Sequence, residues 1–271
     1  MQKLIHPSVT IPFEYRQPDK RLYPGDNDPD FEYWYSKNHT PGGNRIYLGI
    51  MWTSYYKAAD YGNKKEPIRK LQNFINRLDR SKKYFTVCQF DDGILNNLSH
   101  LDCKVFSMSG KPMDYPLPLI CQPHKFIPET TRKNFFVNFI GNNTHPIRSQ
   151  ILKIRIKNWF IDNTHHKIDF YCRTIASSMF TLCPRGYGPA SFRVTEALQY
   201  GSCPVYISDE FIMPHNVPFG DYGVLVRPEQ IGNLKEILES VDIVEKHRAG
   251  KQAYQDYYTF EANKKLIEEN L

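Results

Sequence analysis

The chain has 271 residues, enough to bury a sizeable core in one large or two small domains, and its 41% hydrophobic and 14% aromatic content is that of a globular protein. Its 35 Lys and Arg against 29 Asp and Glu leave a formal charge of +6 without any run of five like charges, which favours small anionic ligands and argues against a nucleic-acid-binding protein. The six cysteines (Cys88, Cys103, Cys121, Cys172, Cys183 and Cys203) have irregular spacings and no C-x-x-C pair, so they read as reduced core thiols rather than a zinc framework.

Residues 1–16 contain neither the apolar centre of a signal peptide nor the ~20 apolar residues of a membrane span. Residues 1–45 are rich in Pro, Asp, Tyr and Asn. The Asp26-x-Asp28 pair lies there in a Pro/Gly loop with no strand before it, so it reads as a solvated turn and not as a metal clamp. An aromatic run at 31–35 opens the first ordered element. Residues 45–52 (RIYLGIMW) predict a buried strand, followed by the aromatic cluster Trp52, Tyr55 and Tyr56, which reads as core more readily than as a sugar platform. The spacing of Ile68, Leu71, Phe74, Ile75 and Leu78 predicts an amphipathic helix over 65–80. A strand follows at 85–90, ending in the turn Asp91-Asp92-Gly93, with further extended runs at 104–107 and 117–121.

The Pro-rich tract 115–128 changes the composition and marks a domain boundary. After it, 134–140 (NFFVNFI) predicts a strand with Gly141 at its end, then a turn at 142–146 and a helix over 147–160. Residues 180–183 form a strand, 184–190 a Pro/Gly loop carrying Arg185, Ser191 opens a helix, and 205–207 form a second apolar strand. Two apolar runs about twenty residues apart with one helix between them are the sequence form of a parallel βαβ unit. A short strand at 222–226, a helix at 229–241 and a charged, helical tail at 244–271 complete the chain. The alternation of strands and helices is that of an α/β protein.

The loop and helix after residue 183 carry the chemistry. Gly186 and Gly188 let the backbone approach a ligand closely, and Arg193 and Glu196 lie three apart on one helical face. Arginines suit phosphate and the carboxylate suits ribose hydroxyls, which outlines a nucleotide-diphosphate site. An exposed Arg193–Glu196 ion pair beside an ordinary tight turn is the competing structural reading.

The run F-x-L-C-P-R-G-x-G from Phe180, followed by S-F-R-x-x-E-A-L-x-x-G-x-x-P-V-x-x-S-D from Ser191 to Asp209, resembles the signature of the exostosin-family glycosyltransferases. The resemblance thins upstream, reaching Phe139-Ile140-Gly141 with Arg148 and the Gln89 to Gly93 turn. It implies a GT-B fold, two Rossmann-like α/β domains facing each other across a cleft. Residues 1–128 would bind the acceptor, 129–243 the nucleotide sugar, and 244–271 would return as a helical segment to the first domain. It also implies an inverting, metal-independent enzyme that moves a sugar from a UDP-sugar, xylose or another pentose being the one to try, to an oligosaccharide or glycoprotein glycan, with no cofactor and no nucleic-acid partner. The eukaryotic Golgi members of the family carry a membrane anchor, and the chain is expected to depart from them there. It is expected to be a short soluble form, bacterial-like or viral, working in the cytoplasm, that of the host if viral. N-x-[ST] matches at Asn38, Asn97 and Asn142 then carry no weight.

Inverting transfer needs a base for the acceptor hydroxyl and positive charge for the departing diphosphate. Asp92, with Asp91 as second choice, is the expected base because the pair follows a buried strand. Arg185 and Arg193, the helix opened by Ser191, Gly186, Gly188 and, upstream, Gly141 and Arg148 form the expected phosphate site. Glu196 is assigned to the ribose, and Asp209 and Glu210 to the donor sugar or as rival bases. His145 and His215 lie in loops and read as solvated. A retaining GT-B enzyme is the alternative, although positions eight before and after Glu196 are Gly188 and Pro204, so the paired carboxylate of that group is absent. A catalytically inactive nucleotide- or glycan-binding scaffold is the alternative outside enzymes.

Overall fold

The structure is a computed structural model that describes residues 11–16, 30–40, 43–126, 128, 132–213 and 217–271. Asp26, Asp28 and His215 lie outside the described residues. The chain divides into two compact units. One is built from the described residues up to Pro118 together with Phe260–Leu271, and the other from the described residues of Leu119–Thr259. Residues 119–128 of the Pro-rich tract therefore pack with the second unit, and of the C-terminal tail only the last helix belongs with the first.

The first unit begins with α1 (Phe31–Asn38), whose amino end is capped by Asp30 Oδ1 accepting from Tyr33 N at 2.8 Å. There follow β1 (Ile46–Tyr47), α2 (Trp52–Ala58), α3 (Lys65–Ile75), β2 (Lys83–Cys88), β3 (Asp102–Ser107) and β4 (Tyr115–Pro116). The four strands are parallel in the order β1-β2-β3-β4. The apolar run 45–52 is a strand for two residues only. Beyond it the buried Glu32 carboxylate accepts from Thr53 N and Thr53 Oγ1 at the start of α2, and from Gln89 N beyond β2. Burial and the nearby Asp30 raise the Glu32 pKa well above the carboxylate range. Trp52 and Tyr56 are wholly buried, Trp52 donating to Thr86 Oγ1 at 2.8 Å, so they serve the core. Phe260 of the C-terminal helix Phe260–Glu269 packs edge-on against Phe31 at 5.1 Å and Trp34 at 5.3 Å, which ties that helix to α1.

The second unit contains β5 (Phe135–Ile140), α4 (Pro146–Ile151), β6 (Trp159–Asp162), α5 (Ile168–Ala176), β7 (Ser178–Pro184), α6 (Arg193–Gln199), β8 (Cys203–Ile207), α7 (Phe219–Tyr222), β9 (Val224–Val226), α8 (Leu234–Glu239) and α9 (Ile243–Tyr257). Its five strands are parallel in the order β6-β5-β7-β8-β9. Val137, Phe139, Phe180, Leu182, Val205 and Ile207 fill the core, and free Cys172, Cys183 and Cys203 are buried in this unit. The helix expected over 147–160 stops at Ile151. Asn158 takes φ 66°, a conformation asparagine tolerates, and turns the chain into the edge strand β6. The stretch expected as a strand over 222–226 is split, its first residue ending α7. Among the described residues no helix is long and apolar enough to cross a membrane.

The Asp91-Asp92-Gly93 turn is held by steric fit. Gly93 has φ 75°, and a Cβ there would lie 2.2 Å from Lys111 O, while a Cβ on Gly110 would lie 2.1 Å from Asp92 C. Gly93→Ala must move this pair of touching loops as well as enter left-handed space. It is expected to cost about 3 kcal/mol, read as a lower urea midpoint with unchanged slope.

Candidate functional site

β5 is flanked by β6 on one side and β7 on the other, so chain order reverses between β5 and β7. Ligands of open parallel sheets sit beyond the carboxyl ends of the strands at such a point. The loops leaving these two strands, residues 141–145 and 185–192, hold most of the residues singled out by sequence.

Arg148, on α4, is 7% exposed. Its Nε donates to Arg185 O at 2.8 Å, Nη1 to Asn142 O at 3.1 Å and Nη2 to Pro184 O at 3.2 Å. It therefore joins the two loops and does not reach outward as a phosphate ligand. A Cβ on Gly186 would lie 3.2 Å from Arg148 Nη2 and 3.8 Å from Thr144 Oγ1, so the glycine keeps the loops close. Gly188 is buried in the same loop.

Arg193 begins α6. Its Nε and Nη2 donate to Ile140 O at 2.9 and 2.5 Å, and the guanidinium lies over the Phe139 ring at 5.0 Å. A Cβ on Gly141 would fall 2.0 Å from Arg193 Nη2, so only glycine lets this cation settle against the end of β5. The helix starts two residues later than Ser191, and the Ser191 hydroxyl makes no cap. That hydroxyl is buried without a hydrogen-bond partner, as are Thr144 Oγ1 and Arg185 Nε. Buried polar atoms are seldom left unpaired. Three such atoms on the two loops of the switch point are groups with hydrogen bonds still to make.

Arg185 Nη1 donates to Asp209 Oδ1 at 2.5 Å and Nη2 to Tyr187 O at 3.2 Å. The bond from Arg185 holds the Asp209 carboxyl below its usual range. Asp209 is half exposed and its pairing is screened by water, so it is a weak tether. The Glu210 backbone closes a turn on Ser208, its carbonyl accepting from Ser208 Oγ at 2.5 Å, and its side chain is exposed. His145 caps α4 through Nδ1, which accepts from Ile147 N at 3.3 Å; burial first, and then the charge of Arg185, lowers its pKa.

Glu196 does not pair with Arg193 and does not face open space. It is 4% exposed, one oxygen accepting from His124 Nε2 at 2.9 Å and the other from Tyr171 OH at 2.6 Å. Burial pushes its pKa up, but the His124 hydrogen bond and the charge of Arg193 outweigh it, and the net shift is downward. Around it, segment 119–126 is strapped to α6: Thr195 Oγ1 donates to Leu119 O, Gln199 Nε2 to His124 O, and Tyr200 OH to Phe126 O, at 2.7, 3.0 and 2.8 Å. Both oxygens of the carboxylate expected at the ribose are thus engaged inside the unit, between α5, α6 and segment 119–126. His124 and Tyr171 escaped sequence reasoning, because nothing at positions 72 and 25 residues away marks them as its partners. Asp91 and Asp92 belong to the first unit, at the carboxyl end of β2, Asp92 exposed and Asp91 half-buried.

The exostosin GT47 domain model matches residues 94–241, more than half of the chain. The chain belongs to the exostosin GT47 family. Exostosin-family membership and two α/β units, each with its own parallel sheet, make this a GT-B fold. A probable glucuronosyltransferase of Oryza sativa subsp. japonica is 32% identical over 55% of this chain and 38% of its own length. A probable beta-1,4-xylosyltransferase of Arabidopsis thaliana is 30% identical over 53% of this chain and 37% of its own. The chain thus spans less than two-fifths of the length of these exostosin-family relatives. The crystal structure of TarM aligns with 74% of the chain and 58% of its own, at 9% identity and a TM-score of 0.39.

In His124→Ala the Glu196 carboxylate keeps Tyr171 but loses its second partner while it stays buried, and the variant is expected to be about 3 kcal/mol less stable. The folded pKa of Glu196 is depressed, so its contribution is full above the unfolded carboxylate value and disappears as pH falls through the lower folded value. In His124→Ala only Arg193 and Tyr171 remain to offset burial, and acid unfolding should begin at higher pH than in the wild type. Chemical denaturation between pH 3 and 8 measures both effects.

Proposed function

We propose that the chain transfers a sugar from a UDP-sugar to a glycan hydroxyl with inversion and without a bound metal. The observation that carries this reading is the trio of unpartnered buried atoms, Thr144 Oγ1, Arg185 Nε and Ser191 Oγ, on the loops where the strand order of the second unit reverses. Two hydroxyls and a guanidinium N–H suit the oxygens of a diphosphate, and Arg193 adds a cation against the end of β5. Arg185 is free to exchange its exposed carboxylate partner, Asp209, for phosphate, leaving Asp209 to accept from a donor-sugar hydroxyl.

In the transfer, the acceptor oxygen attacks the anomeric carbon from the face opposite the diphosphate while its proton passes to a carboxylate, and the bond from that carbon to the diphosphate oxygen breaks. Asp92 is the proposed base, exposed on a turn whose backbone is fixed by Gly93 and Gly110. The guanidinium groups of Arg185 and Arg193 meet the charge that develops on the leaving diphosphate. The names of the plant relatives make UDP-xylose and UDP-glucuronic acid the first donors to assay.

Calorimetric titration with UDP and GDP, with and without EDTA, tests the donor site. UDP is expected to bind selectively with EDTA present, and Arg185→Ala to weaken it by roughly tenfold. Asp92→Asn is expected to keep UDP affinity and lose about a hundredfold or more in kcat. A requirement for divalent metal, or no nucleotide binding, overturns the reading.

A further inference from the structure

The carboxyl edge of the second sheet continues past β5 to the edge strand β6, where a set of side chains has no part in the site described so far. Asp162 ends β6 in register with Ile140, and its carbonyl accepts from Gly141 N at 3.1 Å. It therefore adjoins the glycine against which the Arg193 guanidinium packs. The Asp162 carboxylate accepts from Thr164 N at 3.0 Å, Thr164 Oγ1 at 2.7 Å and His166 Nε2 at 2.7 Å. Bonds from Thr164 are the main cause of its pKa of about 2.

These contacts decide which ring nitrogen of a neutral His166 carries the hydrogen. Thr164 Oγ1 gives its proton to Asp162, so it can only accept from His166 Nε2, 3.1 Å away. Both neighbours of Nε2 are acceptors, and Nε2 carries the hydrogen. In the neutral imidazole Nδ1 then holds a lone pair, and it has no hydrogen-bond partner among the described residues. The ring is locked in orientation from below: it stacks on Phe170 of α5 with centroids 4.5 Å apart and planes at 24°, and Phe160 flanks both rings. Phe170 is 41% exposed and Ile168 beside it 47%, an unusual investment of apolar surface at the edge of a charged site.

We propose that this platform seats the uracil ring of the nucleotide donor, with the ring's face against Phe170 and its N3–H donating to His166 Nδ1. The proposal rests on the nucleotide-diphosphate reading above and names which base that site accepts. Two strand spacings, roughly 10 Å, separate β6 from β7, a span that a ribosyl diphosphate bridges from the platform to the loops carrying Arg185 and Thr144. The opposite flank of the site carries Asp209 and the Arg227 guanidinium stacked over Phe211, charges that suit sugar hydroxyls better than a neutral heterocycle. Cytosine has a lone pair, not a hydrogen, at N3, so it would set one acceptor against another at His166.

Calorimetry with UDP, CDP and inorganic pyrophosphate on the wild type, Phe170→Ala and His166→Ala tests this. The wild type is expected to prefer UDP to CDP by at least about tenfold, each substitution to weaken UDP by at least about tenfold, and His166→Ala to erase the preference over CDP, all without change in pyrophosphate affinity. UDP affinity unchanged in both variants, with pyrophosphate still bound, overturns the platform and leaves the anion site standing. Failure of the wild type to bind either UDP or pyrophosphate overturns the donor reading and the platform with it. If an alanine variant melts early and loses both ligands, Phe170→Leu and His166→Leu, which keep more of the packing volume and leave no acceptor at position 166, give the decision by the same comparison.

Discussion

The arrangement of the second unit depends on one buried guanidinium. Arg148 leaves α4 and spends its donors on the carbonyls of Asn142, Pro184 and Arg185, drawing the loop after β5 and the loop after β7 into one surface. Parallel strands present their carbonyls and loops at one edge, but nothing in the ladder of hydrogen bonds obliges two such loops to meet. A planar fork of N–H groups does oblige them, because each donor has a fixed direction.

The same device recurs at Arg193, whose guanidinium is oriented by the Ile140 carbonyl and supported by the Phe139 ring. Carbonyl dipoles and aromatic faces hold a cation in place without cancelling its charge, whereas a carboxylate would neutralise it. Arg185 is paired with an acid at short distance, and that acid is half exposed. The crevice is therefore preset with positive charge and with hydroxyls that lack partners. Glu196, the acid nearest to it in the chain, is withdrawn into a buried set with His124 and Tyr171, where it pins α5 and segment 119–126 to α6.

Much of this was legible in the residues. The βαβ unit over 178–207 could be read from two apolar runs about a helix, and Gly141, Arg185, Gly186 and Arg193 do converge at the strand ends. The exostosin signature over 180–209 named the family correctly. The edge strand β6 was missed because four residues of mixed polarity have too little pattern to separate from the end of a helix, though Asn158, a residue at ease in left-handed space, marked the break. With β6 unread, α5 and the His166 platform that follow it were unread as well.

The sequence by itself determined the α/β alternation, the positions of most strands and the family, since these rest on periodicity and on short runs of neighbours along the chain. The tertiary structure alone decided what each polar side chain does. Arg148 and Glu196 carry the residue types of ligand-binding groups, yet one is bound to backbone carbonyls 6, 36 and 37 residues away and the other to side chains 72 and 25 residues away. Partners so far apart in sequence are chosen by the folding of the sheet, and a charged group goes to whichever nearby atoms relieve the cost of its burial.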